Sequence, residues 1–94
     1  MFYVYLLCSG PFGTLYIGMT ADLVKRVWQH KTKAIPGFTS KYDVDRLVWY
    51  EAHELVEAAF VRERQLKKWK RAWKIQLIEV SNPEWIDLYQ SLAS

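Results

Sequence analysis

Two short segments near the N-terminus decide the fold: FYVYLLC at residues 2–8 and TLYIG at residues 14–18. Their aromatic and branched side chains favour extended backbone. The residues between them, SGPFG at 9–13, form a cluster of turn formers. The sequence therefore predicts that the chain begins with a β-hairpin.

Helical periodicity follows the hairpin. A helix is predicted from Ala21, with Thr20 as a candidate N-cap, because apolar residues recur at helical spacing. Those apolar residues are Leu23, Val24, Val27 and Trp28. Residues 35–44 are predicted to be a loop, since proline and glycine interrupt the pattern, and residues 45–52 are predicted to be a third strand.

The C-terminal part of the chain is predicted to be helical. A longer helix is expected from about residue 54 to 70, and residues 72–80 form either another helix or a bent continuation. Asn82 is a candidate N-cap for a short last helix with Pro83 in its first position. The predicted order is β-β-α-β-α-α, an α+β fold in which helices flank a three-stranded antiparallel sheet. The 94 residues are expected to form one domain, residues 1–94.

Charge is distributed unevenly along the chain. The formal net charge is +3, and seven of the thirteen residues from 62 to 74 are Lys or Arg. Such clustering favours a polyanionic partner, although a solvated helix face has the same pattern. Cys8 is the only cysteine, so no intrachain disulfide is possible. With no signal peptide and no long apolar run, we expect a cytoplasmic protein without a membrane partner.

Two three-residue motifs carry a family resemblance. Tyr3-Val4-Tyr5 and Tyr16-Ile17-Gly18 resemble the pair that names the GIY-YIG nuclease superfamily, the first degenerate and the second intact. Arg26, His30 and Glu63 follow in the order of the family's arginine, histidine and glutamate. The resemblance covers nearly the whole chain. It extends to short single-domain bacterial members, to the N-terminal domain of the excinuclease C subunit and to homing endonucleases.

The resemblance implies a metal-dependent endonuclease that hydrolyses phosphodiester bonds in DNA, in repair or recombination. Glu63 is the implied ligand of a single divalent ion, Mg²⁺ or Mn²⁺. One carboxylate is chemically sufficient, because water and substrate phosphate complete the shell of such an ion. Alternatively, Glu63 forms an ion pair with Arg62 or Lys67. The residues alone do not distinguish DNA from RNA.

The remaining catalytic roles follow from the chemistry of the side chains. Arg26 is suited to binding phosphate oxygens, and His30 lies one helical turn further on the same face. Tyr5 or Tyr16 would activate water, and we expect nearby cations to lower the tyrosine pKa. The two tyrosines act together only on a shared sheet face, which we predict because direct pairing of Tyr5 with Tyr16 would place them there.

Substrate contacts are predicted at Gly18, Lys67, Lys70 and Arg71, with Gly18 leaving room for a phosphate. Met19 departs from the family, since many members have a lysine there. A non-catalytic nucleic-acid-binding module with a degenerate site is therefore the alternative, and a protein-interaction domain is a second one. Nucleic acid is the expected partner, with a partner protein as a possible source of specificity.

Overall fold

A computed structural model describes residues 1–93. Three strands form one antiparallel sheet in the order β2-β1-β3, and helices cover it, which confirms the predicted α+β class. The strands are β1 (Phe2–Cys8), β2 (Leu15–Thr20) and β3 (Arg46–His53). The helices are α1 (Leu23–Lys31), α2 (Phe38–Lys41), α3 (Val56–Lys68), α4 (Arg71–Ser81) and α5 (Tyr89–Ala93).

Strand β1 is buried on both faces because it is the central strand of a sheet covered on both sides. On one face its residues pack with α3 and α4; on the other face they pack with α1 and α5. The first face contains Val4, Leu6, Cys8, Ile17, Ala59, Leu66 and Ile78. The second contains Tyr5, Leu7, Leu23, Val27 and Leu47. Burial on both faces explains why β1 is almost continuously apolar.

The hairpin register differs from the predicted one by two residues. Tyr5 lies opposite Gly18, and Tyr16 lies opposite Leu7, so the predicted direct pairing of the two tyrosines is wrong. Because side chains alternate between faces with a period of two, a shift of two residues keeps both tyrosines on one face. The prediction of a shared face is thus confirmed.

The segment between α1 and β3 differs from its prediction in two places. Residues 38–41 form the short helix α2 where a loop was predicted. Helix α1 is capped by Asp22, whose carboxylate accepts from the Lys25 backbone N–H at 3.2 Å. Thr20 is not the cap because it is still part of β2, and its hydroxyl bonds the backbone of Asp22 instead.

Asn82 ends a helix rather than beginning one. Its backbone N–H donates to the Ile78 carbonyl at 2.8 Å, which makes it the C-cap of α4. Its buried side-chain amide donates to the carbonyls of Val48 (3.2 Å) and Ile86 (2.9 Å) and accepts from the Ile86 N–H (3.0 Å). No helix begins at Pro83, so the prediction of Asn82 as the N-cap of a last helix is wrong. The Asn82 amide instead connects the end of α4 to β3.

Helices α3 and α4 are separate, which decides between the two predicted alternatives. Trp69 and Lys70 both have extended backbone, with ψ of 150° at each, and this interrupts the helical hydrogen bonding. Within residues 1–93, none of the helices has the length and apolar character needed to cross a membrane.

We predict that Gly18→Ala destabilises the fold. A Cβ at Gly18 would overlap the hydroxyl and the adjacent ring carbon of Tyr5, neither of which can move freely in the core. Overpacking of this kind costs about 1–3 kcal/mol, measurable by urea unfolding. Gly10→Ala is the control, because nothing lies within 4 Å of the added Cβ. Equal effects of the two substitutions would contradict the packing argument.

Candidate active site

Three of the predicted catalytic rings meet on one face of the sheet. The ring centroids are 6.4 Å apart for Tyr5 and Tyr16, 6.0 Å for Tyr5 and His30, and 5.6 Å for Tyr16 and His30. The hairpin register supplies the two tyrosines, and α1, which packs on this face, supplies His30 from its last turn. The fold thus brings residues 5, 16 and 30 into one cluster.

A chain of buried hydrogen bonds holds His30. Its Nε2 lies 3.2 Å from the Tyr5 hydroxyl, and its Nδ1 lies 2.9 Å from the Thr39 hydroxyl. All three side chains are buried. Since a neutral imidazole donates from one nitrogen and accepts at the other, the two hydroxyls satisfy the ring in either tautomer. Thr39 is not among the predicted site residues, because residues 35–44 are predicted to be a loop; it lies instead in α2.

Burial keeps the histidine and the first tyrosine neutral. It lowers the pKa of His30 below the usual 6.5, and the positive charge of Arg26 lowers it further. Burial raises the pKa of Tyr5 above 10, with further increases from Tyr16 and Glu63 that outweigh the opposing effect of Arg26. The positive charge of Arg26 lowers the pKa of Tyr5, as expected, but desolvation is the larger effect and the pKa is raised overall.

Arg26 is half-buried on α1, one helical turn before His30. Its charge acts on both Tyr5 and His30. Among residues 1–93 no carboxylate lies within 4.0 Å of it, although five other basic side chains are so paired. An unpaired guanidinium in a partly buried position is suited to a phosphate, which offers matching acceptor oxygens.

Glu63 lies at the edge of the same cluster. It projects from α3 between the buried Ala59 and Leu66, is half-buried, and acts electrostatically on Tyr5. Its Oε2 lies 3.6 Å from Lys67 Nζ, one helical turn away. That distance is long for a charge-assisted hydrogen bond, so the carboxylate remains available as a ligand. The alternative ion pair between Glu63 and Arg62 does not form, because Arg62 pairs with Glu51 at 3.0 Å.

The donor set of this site limits the metals that fit it. The described residues contain no group of three or more His, Cys, Asp or Glu that could hold an ion. A closed zinc site is thus excluded for residues 1–93. One half-buried carboxylate fits an oxygen-seeking divalent ion that keeps most of its water.

The basic residues of α3 and α4 divide between this cluster and other parts of the surface. Lys67 lines a cleft of about 260 Å³ beside Tyr16, together with Lys74, which we did not predict as a site residue. Lys70 instead lies 5.5 Å from the centre of the Trp73 ring. The structure therefore brings Lys67 to the cluster, but not Lys70.

Arg71 is held by the hairpin turn. Its Nη2 donates to the backbone carbonyls of Phe12 and Gly13, each at 2.6 Å. Those bonds fix the turn between β1 and β2 against the start of α4. Arg71 thus has a structural role at the hairpin turn, and the substrate contact stays a prediction.

The two residues after Tyr16-Ile17 have structural roles. The ring of Tyr5 fills the space above Gly18. The prediction that this space is open to a phosphate is therefore wrong. Met19 lies opposite Val4 and packs against the core on the other face of the sheet. A side chain at position 19 therefore leaves β2 on the face opposite the tyrosines.

Comparisons with known proteins identify the family of the chain. The family model described as the GIY-YIG catalytic domain matches residues 1–76. A UPF0213 protein of Syntrophus aciditrophicus is 39% identical over 84 residues, covering 87% of this chain and 93% of that protein. One from Haloquadratum walsbyi is 35% identical over 78 residues, covering 82% and 85%. The solution NMR structure of a Bacillus halodurans UPF0213 protein has a TM-score of 0.52 at 31% identity, with 85% of each chain covered. The chain therefore belongs to the GIY-YIG family, as do its short UPF0213 relatives.

Proposed function

We propose that this protein is a divalent-metal-dependent endonuclease that hydrolyses phosphodiester bonds in DNA. The observation that carries the proposal is the unpaired Arg26 guanidinium beside the hydrogen-bonded pair of Tyr5 and His30. A phosphate-binding cation and a proton acceptor next to each other are what phosphodiester hydrolysis requires. Membership of a nuclease family supports the same conclusion.

The proposed reaction gives a role to four of these side chains. Arg26 binds the non-bridging oxygens of the scissile phosphate and stabilises the charge that develops on them. The Tyr5 oxygen takes a proton from the attacking water while its own proton passes to Nε2 of neutral His30. This relay needs no tyrosinate, which suits the raised pKa of Tyr5. Glu63 would hold a divalent ion that supplies further positive charge at the phosphate.

The choice of substrate and pathway rests on resemblance. DNA, and a place in repair or recombination, follow from the similarity to the N-terminal domain of the excinuclease C subunit. A separate protein that supplies specificity belongs to the same proposal. Met19 packs with the core residues under α3, the helix that carries Glu63, and it offers neither charge nor a hydrogen-bond donor there. The non-catalytic binding module is therefore kept as the alternative function.

Replacing Glu63 tests the nuclease directly. We expect Glu63→Gln to lower metal-dependent cleavage by at least about 100-fold, the scale measured when one charge-stabilising group is removed from an active site. Labelled single-stranded, double-stranded, nicked and branched DNA, and RNA, would be incubated with Mg²⁺, Mn²⁺ or EDTA. Glu57→Gln is the matched control, because Glu57 is an exposed glutamate of the same helix.

The outcomes separate the two functions. Cutting by wild type and Glu57→Gln, but not by Glu63→Gln, supports the nuclease. If no protein cuts any substrate while all bind nucleic acid in a salt-dependent manner, the binding-module alternative is correct.

The dependence of the cleavage rate on pH should reflect the titration of the buried His30. Because the pKa of His30 is lowered, the neutral imidazole persists below pH 6.5 and remains a proton acceptor there. We expect the single-turnover rate to fall on the acid side with an apparent pKa below 6.5. The free energy of unfolding should also decrease as pH falls below 6.5, since the unfolded chain then binds a proton that the folded chain excludes.

His30→Gln is the control for this profile. It should lower the rate and remove the acid limb, while His53 is still present in the variant. An acid limb that survives in His30→Gln would assign the titration to another group.

Thr39 is predicted to act as a positioning residue. Thr39→Val keeps the shape but removes the hydrogen bond to His30 Nδ1, so kcat should fall about tenfold with little change in KM. Thr39→Ser should restore kcat, because it retains the hydroxyl. If the serine variant is as slow as the valine variant, packing of the threonine methyl group is the cause and the hydrogen bond is not.

A further inference from the structure

An exposed row of aromatic rings leads outward from the cluster. Phe38, the first residue of α2, lies against Tyr16 with ring centroids 6.5 Å apart and an interplanar angle of 26°. Tyr42 follows, with its centroid 5.0 Å from that of Phe38. Phe38 is 50% exposed and Tyr42 is 48% exposed. Two aromatic rings that are about half exposed therefore lie directly beside Tyr16.

Positive charge surrounds this row. Lys67 and Lys74 line the cleft of about 260 Å³ in which Tyr16 and Phe38 lie. Lys41 Nζ lies 5.4 Å from the centre of the Tyr42 ring. Among residues 1–93, no carboxylate lies within 4.0 Å of Lys74, and Lys67 has only the distant Glu63. The cleft thus combines flat apolar faces with cations that lack close partners.

We infer that this cleft is a stacking subsite for an unpaired nucleobase next to the scissile phosphate. Phe38 provides the face on which the base stacks, and Lys67 and Lys74 bind the phosphates on either side of it. Aromatic stacking combined with a cationic groove is the usual means of binding single strands, because every base has a π-face. The inference rests on the proposed nuclease and adds a preference for unpaired nucleotides.

The preference for an unpaired base follows from access. In a duplex both faces of each base are covered by its neighbours in the stack, so a ring such as Phe38 has nothing to stack on unless a base leaves the helix. Single strands, flaps, loops and frayed ends expose such faces. RNA and DNA have the same kinds of base faces and phosphates, so a stacking subsite by itself accepts either nucleic acid.

Helix α2 joins the subsite to the catalytic hydrogen bonds. Phe38 and Thr39 are adjacent in its four residues: one faces the cleft and the other holds His30. A base stacked on Phe38 therefore contacts the same short helix that orients the proposed proton acceptor.

The test measures binding in EDTA, where cleavage is not required. Wild type, Phe38→Ala, Phe38→Leu and Phe60→Ala would be titrated into a labelled single-stranded oligonucleotide and into the same sequence as a duplex. Phe60 is the control because it is equally exposed but lies on α3, outside the cleft. Thermal unfolding of each variant checks that it folds. DNA and RNA oligonucleotides would be compared as separate arms.

We expect Phe38→Ala to weaken single-strand binding by about 5- to 100-fold, the range for losing one stacked base, and duplex binding much less. Phe38→Leu keeps the apolar volume without a ring and should behave like the alanine variant. Phe60→Ala should bind like wild type. An oligonucleotide that lacks one base should lose affinity for wild type at a single position, and at that position Phe38→Ala should show no further loss.

Several outcomes would overturn the subsite. These are single-strand binding by Phe38→Ala equal to that of wild type, equal losses on single strand and duplex, or a leucine variant that binds like wild type. If any of these three results is obtained and the wild-type protein still cuts DNA, the subsite is refuted and the nuclease proposal is not. A wild type that binds with the expected Phe38 dependence but cuts nothing refutes the nuclease alone.

Discussion

The packing of the Tyr5 ring on Gly18 is the contact on which the site depends. Tyr5 is in the central strand, where both faces are buried, and the missing side chain of Gly18 gives its ring space on the neighbouring strand. That position places the hydroxyl within 3.2 Å of His30. The glycine of the second motif is thus required by the tyrosine of the first, and the motifs form one packing unit.

Burial of this unit determines its chemistry. Desolvation raises the pKa of Tyr5 and lowers that of His30, so both rings are neutral when they meet. Neither ring has to be ionised before the proposed relay begins; the transfer itself places the positive charge on His30, which burial makes a reactive, readily deprotonated acid afterwards. The fixed charges, Arg26 and Glu63, lie where they are only half-buried. This arrangement leaves the cationic and anionic groups accessible to a phosphate and an ion.

Helix α2 contributes more than its length suggests. Its four residues supply a buried hydroxyl that fixes the imidazole and an exposed ring beside Tyr16. Few apolar residues anchor so short an element. It is held in place by the hydrogen bond that the Val44 N–H donates to the Thr39 carbonyl and by the ring contacts of Phe38. A small sheet with a modest core can therefore carry both a polar network and a binding surface.

The sequence by itself determined the strands, the longer helices and the shared face of Tyr5 and Tyr16, because these depend on local periodicity and on the alternation of side chains along a strand. It did not determine the pairing of Tyr5 with Gly18, the contact of Thr39 with His30, or the role of Asn82 as the C-cap of α4. The first two features join separate segments of the chain, and Asn82 is fixed as the C-cap by its side-chain amide, which donates to the carbonyl of Val48 in β3. Pairing register, desolvation and the partners of buried polar groups arise only when separate segments pack together, so only the tertiary structure decided them.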